Sequence, residues 1–268
     1  MHSAVNYISP DTDKPEVFLF EPPPGVPRQF PTVRHVVQVH NGREDLDALS
    51  LDRQGFVLRN DPRSVVADFY DEKVIEEGYY ANMAGLIKRE TGASDVVVFD
   101  HTYRSSRELR PGESDANQPV VNAHSDYTNE SGPARAADVC GDRYSEAIEE
   151  RRYLIVNVWR PINGTVEQKP LALCDIRSMY AEDFVAARIR FPNGRNGGVM
   201  AIRHRDEHRW FYFPKMSVDE VLLFKSFDPR AFGANRFGAH CAVEEPGMTG
   251  DERTRESIEI RAVALFDR

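Results

Sequence analysis

Apolar residues recur at helical spacing in two stretches of the first half of the chain. The first stretch runs from Asp61, which can cap a helix, through Pro62, which suits a first helical turn, to Gly92, which suits a helix end. Gly78 divides this stretch into two pieces. The spacing predicts a second helix from about residue 134 to residue 150. Each helix is expected to pack its apolar face on a sheet.

Short β-branched and apolar runs follow these stretches, and each is bounded by turn residues, as buried strands are. The predicted strands cover residues 95–100, 153–159, 171–174, 198–203, 209–213, 220–224, 237–243 and 257–266. Helices in the first half and short strands in the second favour a mainly β fold, a jelly roll buttressed by helices, over a doubly wound α/β fold. The absence of a G-x-G-x-x-G motif and of a Walker loop agrees with this fold class.

The N-terminal segment has a different composition. Residues 1–34 contain seven prolines and little periodicity, which predicts an extended arm that lies over the domain and contributes no core element. Residues 35–268 would form the jelly-roll core. We expect residues 1–268 to be a single domain, because a β-rich domain can absorb a chain of this length.

Composition and charge exclude several classes of protein. The chain is 41% hydrophobic and 29% charged, close to the globular average, so general disorder is not expected. Its net charge of −9 argues against nucleic acid or an anionic membrane as the main partner. No window approaches the ~18 apolar residues of a membrane helix, and the N-terminus lacks the pattern of a secretory leader. We therefore expect a cytoplasmic protein.

The three cysteines, Cys140, Cys174 and Cys241, are an odd number without a C-x-x-C pair. A disulfide framework and a thiolate zinc site are both poorly supported by this pattern. We expect three partly buried free thiols.

The pattern histidine-x-aspartate occurs twice. His124-Ser125-Asp126 follows a short β-favouring stretch, so the imidazole and the carboxylate would project from one face of a strand into a barrel. His204-Arg205-Asp206 lies within seven consecutive polar or charged residues and is typical of a solvated hairpin tip. We therefore favour His124 and Asp126 as ligands for a metal ion. Two histidines and one carboxylate suit non-haem Fe(II), because they leave positions open for a cosubstrate and oxygen.

The third ligand is expected on a late strand. His240 is the only histidine after residue 208, and its neighbour Cys241 should face the other side of the strand. Arg255 and Ser257 open the last predicted strand. An arginine and a hydroxyl two residues apart can hold a carboxylate by a salt bridge and a hydrogen bond.

Taken in order, H-x-D, a distal histidine and R-x-S resemble the Fe(II)/2-oxoglutarate-dependent oxygenases. Further segments are similar to one branch of that superfamily, the cephamycin methoxylase-like group with its fungal hydroxylase/desaturases and aziridine-forming enzymes. These segments are residues 100–104, 157–161, 170–175, 210–216, 224–228 and 255–261, of which Asn157-Val158-Trp159-Arg160-Pro161 is the most specific. The resemblance covers the chain from about residue 50 to its end. It departs from the usual pattern at Cys241, where a small polar residue is common.

The resemblance implies a double-stranded β-helix and a set of site residues. Fe(II) would be bound by His124, Asp126 and His240. The cosubstrate 2-oxoglutarate would chelate the iron, and its far carboxylate would be held by Arg255 and Ser257, with O2 as the oxidant. Two other residues, Arg261 and Lys225, remain candidates for that carboxylate. The residues expected to line the substrate pocket are Arg104, Trp159, Arg160, Tyr212 and Arg261.

The implied activity is oxidation of an unactivated C–H bond by hydroxylation, desaturation or cyclisation. The arginines near the expected pocket suggest a small secondary metabolite or amino acid that carries a carboxylate. Three alternatives stay open from the residues alone: an Fe(II) oxidase that does not use 2-oxoglutarate, a non-catalytic jelly-roll protein that binds a small acid, and a zinc hydrolase.

Overall fold

A computed structural model describes residues 1–108, 117–142, 145–245 and 251–267. The α-helices in this part of the chain are α1 (Glu72–Val74), α2 (Tyr80–Thr91), α3 (Ser131–Cys140) and α4 (Ser145–Glu149). The strands are β1 (His2–Ile8), β2 (Glu16–Phe18), β3 (Thr32–Asn41), β4 (Phe56–Asn60), β5 (Asp95–Ser105), β6 (His124–Ser125), β7 (Tyr153–Pro161), β8 (Leu171–Cys174), β9 (Phe184–Arg190), β10 (Asn196–Ile202), β11 (Trp210–Tyr212), β12 (Glu220–Phe227), β13 (His240–Ala242) and β14 (Glu256–Leu265).

The strands form two sheets. The larger sheet has the order β1-β3-β11-β8-β13-β6-β10-β9-β2, and the smaller has the order β4-β12-β7-β14-β5. Neighbours within each sheet are mostly far apart in sequence, as in a jelly roll, where the chain crosses repeatedly between two sheets. The predicted mainly β jelly roll with flanking helices is confirmed.

The smaller sheet is covered on both faces. Along β7, Leu154, Val156 and Val158 pack with the buried face of α2. Trp159 packs on the opposite side, in a cluster with Leu173 of the larger sheet. Successive side chains of a strand point to opposite faces, so the residues of β7 alternate between the helical layer and the space between the sheets. That space holds the polar residues described below.

The first helical stretch begins later than the sequence suggests. Asp71, not Asp61, is the cap, since its side chain accepts hydrogen bonds from the backbone N–H groups of Lys73 and Val74. A π-helical turn, Ile75–Tyr79, joins α1 to α2. Gly78 lies within this turn, so it does not divide the helical stretch as predicted. Gly92 ends α2 in the left-handed conformation, as predicted.

The second stretch is two helices rather than one. α3 ends at Cys140 because Gly141, with φ of 59°, turns the backbone out of the helix. The first of these two helices, α3, also begins earlier than predicted, at Ser131.

The expectation that residues 1–34 contribute no core element is wrong for their first strand. β1 pairs with β3 along seven residues, and Val5 and Tyr7 are fully buried. The prolines begin only after β1, at Pro10. Exposed or half-buried residues alternate with buried ones along β1, and this alternation indicates a strand. The proline count of residues 1–34 does not reflect it.

The three cysteines are buried and free, as predicted. Within the ranges given above, no helix is both long enough and apolar enough to cross a membrane.

Candidate active site

Three ligand-type side chains meet near the centre of the larger sheet. β6 lies between β10 and β13, and His124 of β6 stands directly opposite His240 of β13. Asp126 follows β6, and its Oδ1 lies 3.6 Å from the Nε2 atom of each histidine. One ligand atom from each of these three residues falls within 4.8 Å of the others, and no other such group occurs among the described residues.

Backbone carbonyls set the orientation of both imidazole rings. His124 Nδ1 lies 2.8 Å from the carbonyl oxygen of Asn122, and His240 Nδ1 lies 3.4 Å from that of Gly238. A carbonyl only accepts, so each Nδ1 carries the proton and each Nε2 keeps its lone pair toward Asp126. At Gly238, a Cβ atom would lie 1.8 Å from the carbonyl oxygen of Lys225, so only glycine allows this approach.

The electrostatics of the cluster favour neutral histidines and an ionised aspartate. Burial and the neighbouring His240 lower the pKa of His124 to about 4, and burial lowers the pKa of His240 as well. Burial opposes ionisation of Asp126. The nearby His240 and His124 rings, Arg261 and a hydrogen bond from Asn157 outweigh it and hold the pKa of Asp126 below its ordinary value. At neutral pH the site offers two imidazole nitrogens and one carboxylate oxygen, the donor set of a non-haem Fe(II) site.

A polar network from the smaller sheet surrounds Asp126. Asn157, in the middle of β7, is fully buried. Its Nδ2 donates to Asp126 Oδ2 at 2.7 Å and to Glu259 Oε1 at 3.1 Å. Its Oδ1 accepts from the Ser226 hydroxyl at 2.8 Å. Burial and the charge of Asp126 raise the pKa of Glu259.

Arg255 and Ser257, the two residues of the predicted carboxylate clamp, lie in hydrogen-bonding contact with each other. Arg255 and Ser257 are both buried, and Nε and Nη2 of Arg255 donate to the Ser257 hydroxyl at 3.3 Å. The guanidinium also donates to the carbonyl of Lys169 and lies over the Trp159 ring, 5.1 Å from its centroid. In the described part of the chain, no carboxylate forms an ion pair with Arg255. Burial, and then the charge of Arg104, lower its pKa to about 9. A buried cation in this state is stabilised by an anion from outside the chain.

Trp159 and Arg104 lie close to this clamp. Trp159 contacts Arg255, as above, and pairs with Glu259 across the sheet. Arg104 pairs with Ser257 across β5 and β14, and its charge helps to lower the pKa values of His124 and His240. Both side chains therefore share the space between the sheets with His124, Asp126 and His240.

Arg261 is also near the cluster, but the chain supplies its partners. Its Nε lies 2.9 Å from Asp100 Oδ1, and its Nη2 donates to the Thr102 hydroxyl. Its positive charge contributes to the low pKa of Asp126. Arg261 thus forms a salt bridge with a carboxylate of the chain, whereas Arg255 forms none in the described ranges.

The structure does not bring Arg160 to the site. Its side chain points from β7 into the helical layer, where it is fully buried, donates to Tyr79 Oη at 3.0 Å and pairs with Asp61 Oδ2 at 3.2 Å. The expectation that Arg160 lines the pocket is wrong. Successive side chains of a strand point to opposite faces, and its neighbour Trp159 points inward.

Tyr212 and Lys225 also face away from the cluster. Phe211, Leu173 and His240 align across the larger sheet and share one face, so Tyr212 points to the other face. On β12, Ser226 faces Asn157, so its neighbour Lys225 faces away from the cluster. The Nζ atom of Lys225 lies 3.9 Å from Asp228 Oδ2. The structure therefore supports neither Tyr212 as a pocket residue nor Lys225 as a carboxylate ligand.

The second H-x-D segment lies in a turn between β10 and β11, as predicted. The His204 ring stacks on His35 at 3.7 Å, and Asp206 is 95% exposed. Arg205 pairs with Asp183 at 2.7 Å. The described residues around it supply no third ligand.

The sequence reasoning missed Asn157, Ser226 and Glu259 as site residues. Each carried a signal. Asn157 is the one polar side chain in an otherwise apolar run, and Glu259 lies two residues beyond Ser257, on the same face of β14. The only signal for Ser226 is its position two residues after Phe224, whose ring lies 4.8 Å from the His240 ring at a tilted angle of 55°.

The chain is similar to known proteins over most of its length. A family model described as "Oxidoreductase/YMDC permease-like domain" matches residues 5–265. The alpha-ketoglutarate-dependent dioxygenase phiK of a fungal species is 31% identical over 258 residues, which cover 86% of this chain and 88% of the relative. The hydroxylase/desaturase efuI of Hormonema carpetanum is 31% identical over 252 residues, which cover 86% of this chain and 83% of that protein.

A solved structure matches the fold over its full extent. The iron and alpha-ketoglutarate-dependent endoperoxidase NvfI aligns with a TM-score of 0.88 at 25% identity, covering 100% of this chain and 98% of NvfI. Matches of this length leave no part of either sheet outside the shared fold. The chain therefore belongs to the Fe(II)/2-oxoglutarate-dependent dioxygenases, in the branch that contains the fungal hydroxylase/desaturases.

Proposed function

We propose that His124, Asp126 and His240 hold the Fe(II) of this dioxygenase. The observation that carries the proposal is the convergence of Asp126 Oδ1 with two Nε2 atoms, each at 3.6 Å, in rings whose Nδ1 atoms are tied to backbone carbonyls. Low histidine pKa values support it, since protons compete weakly with a metal ion for such nitrogens. Fe(II), when bound, supplies O2 activation coupled to decarboxylation of 2-oxoglutarate to succinate.

We also propose that Arg255 and Ser257 bind the far carboxylate of 2-oxoglutarate. The supporting contrast is between Arg255, which is buried and has no carboxylate partner in the described ranges, and Arg261, which is paired with Asp100. A planar guanidinium next to a hydroxyl can hold a carboxylate with several hydrogen bonds. The Trp159 ring keeps water from one face of the guanidinium and fixes its plane.

The substrate is a small molecule, as for the enzymes of this family. We propose that Arg104 and Trp159 contact it, and that it enters through a cavity of about 290 Å³ lined by Tyr70, Tyr103, Arg104 and Glu256 among others. Arg104 lines this cavity, and its charge also helps to lower the pKa values of His124 and His240. We propose that the substrate carries a carboxylate, because the positively charged Arg104 lines this cavity.

Two wider features are part of the proposal. The chain works as one domain, with β1 in the core rather than in an arm. It works in the cytoplasm, because three buried free thiols suit a reducing compartment.

An anaerobic titration tests the iron and cosubstrate roles. Fe(II) is added to the metal-free protein, followed by 2-oxoglutarate, and the weak visible charge-transfer band of the chelate is measured. We expect the band in the wild type, its loss in His124→Ala, and a large rise in the required 2-oxoglutarate in Arg255→Ala. A band that persists unchanged in His124→Ala would contradict the assignment of the ligands.

A further inference from the structure

The two oxygens of the Asp126 carboxylate have different surroundings. Oδ1 faces the two histidine Nε2 atoms, each at 3.6 Å. Oδ2 faces the opposite sheet, where it accepts a hydrogen bond from Asn157 Nδ2 at 2.7 Å and lies 3.5 Å from the Ser226 hydroxyl. The carboxylate thus offers one oxygen to the ligand cluster, while the other is occupied by the chain.

The Asn157 amide has only one favourable orientation. Its NH2 group faces two carboxylates, those of Asp126 and Glu259, and both N–H groups are used. Its oxygen accepts from the Ser226 hydroxyl at 2.8 Å. A flipped amide would place an oxygen against both carboxylates and leave the hydroxyl without its acceptor. Since Asn157 is fully buried in the middle of β7, water cannot replace any of these bonds.

The consequence concerns the number of positions that the carboxylate takes on a metal ion. A carboxylate binds a cation through one oxygen or through two. An enzyme of this type must keep positions open for both oxygens of the chelating cosubstrate and for O2. An aspartate that coordinated through both oxygens would take the position that O2 needs.

We propose that Asn157, oriented by Ser226 and Glu259, is a positioning residue that restricts Asp126 to one metal-binding oxygen and so keeps a coordination position open for O2. The inference rests on the proposed iron site. It gives a physical role to the asparagine of Asn157-Val158-Trp159-Arg160-Pro161, which touches neither the histidines nor the carboxylate clamp. Removing the amide frees Oδ2 of Asp126 to turn toward the metal.

Nitric oxide, a stable probe of the position that O2 would take, tests the proposal. The wild type, Asn157→Leu and Ser226→Ala are loaded anaerobically with Fe(II) and saturated with 2-oxoglutarate, and the visible charge-transfer band is recorded. Nitric oxide is then titrated, and the electron paramagnetic resonance signal of the iron–nitrosyl complex is measured. Ser64→Ala, which removes a buried hydroxyl from the short 3-10 helix Pro62–Ser64, is the matched control for Ser226→Ala.

We expect Asn157→Leu to keep the charge-transfer band and to need at least about tenfold more nitric oxide for half-saturation, which corresponds to about 1.4 kcal/mol. Ser226→Ala should give a smaller increase, about threefold, because the amide keeps its donors and loses only the hydroxyl that orients it. Ser64→Ala should match the wild type.

Nitric oxide binding in Asn157→Leu equal to that of the wild type would overturn the inference. If Asn157→Leu does not fold, Ser226→Ala decides alone: an increase supports the role of the amide, and wild-type binding refutes it. A wild type without the charge-transfer band would instead refute the proposed iron site. The two failures are therefore distinguishable.

Discussion

The segments His124–Asp126 and His204–Asp206 share a sequence pattern and nearly the same distance between imidazole and carboxylate. The distance from Nε2 to the carboxylate Oδ1 is 3.6 Å in the first and 3.7 Å in the second. Their surroundings differ completely. The Asp126 side chain is 14% exposed and hydrogen-bonded to Asn157, whereas the Asp206 side chain is 95% exposed.

The third partner differs as well. Opposite His124 stands His240, whose Nε2 turns toward Asp126. Beside His204 stands His35, whose ring stacks face to face at 3.7 Å and is nearly parallel, at 11°. The comparison shows that a histidine and a carboxylate two residues apart are not sufficient for a metal site. The opposing strand and the buried polar residues around the pair make the difference.

Alanine in place of each histidine gives the largest expected contrast. His124→Ala should lower turnover by at least about a thousandfold, since a positioned metal is lost with its ligand. His204→Ala should leave turnover within about twofold, because surface substitutions remote from a site have small effects. Coupled succinate release and Fe(II) binding are measured in both variants. Comparable losses in the two variants would show that the segments are functionally equivalent.

Arg205 of the second segment and Arg255 near the first provide the next contrast, because they differ in their carboxylate partners. Arg205 has a carboxylate partner in the chain, Asp183, whereas buried Arg255 has none in the described ranges. Arg255→Ala should raise the half-saturating concentration of 2-oxoglutarate by about 30-fold or more, since a charge-assisted pair contributes about 2–3 kcal/mol. Arg205→Ala should leave this concentration unchanged. The measurement is the dependence of the charge-transfer band on 2-oxoglutarate, and an unaltered dependence in Arg255→Ala would move the role to Arg261.

The pH dependence of stability gives the smallest contrast. Burial and the neighbouring His240 lower the pKa of His124 from 6.5 to about 4 in the folded protein. Between these values the unfolded chain binds the proton and the folded chain does not, so stability falls as pH falls. For the metal-free protein, protonation of this residue should lower the free energy of unfolding by about 1 kcal/mol between about pH 7.5 and about pH 5.5.

Urea unfolding of the metal-free protein at these two pH values checks this expectation. His124→Gln should flatten the pH dependence, because neither state of the variant titrates at that position. His204→Gln should flatten it less. Burial and His35 lower the pKa of His204 too, but its side chain is 25% exposed. Equal slopes for the wild type and His124→Gln would contradict the buried, neutral state of His124.

Much of the site could be predicted from the sequence, and the errors have one cause. His124, Asp126 and His240 lie together, and Arg255 is hydrogen-bonded to Ser257. Tyr212 lies within a predicted strand and Arg160 directly follows one, but the expected face is wrong for both. A strand that is buried on both sides has no polar face, so the period-2 pattern that distinguishes inside from outside is missing.

The N-terminal strand was missed for the opposite reason. β1 carries the alternation of an edge strand, but the prolines after it dominate the composition of residues 1–34. Composition is averaged over a segment, while a strand needs only a few residues. Local alternation is therefore the better indicator in short segments.

The sequence by itself determined the order of the motifs, the fold class and the chemical types of the ligands, because these depend on residue identity and on local periodicity. The sequence favoured the first of the two H-x-D pairs, and the tertiary structure placed His240 opposite it. Only the tertiary structure decided which arginine has no carboxylate ion-pair partner in the described ranges and which asparagine holds Asp126. These outcomes depend on the pairing of β6 with β13 and on contacts of β7 across the two sheets. Such contacts join residues far apart in the chain, and no local pattern encodes their register.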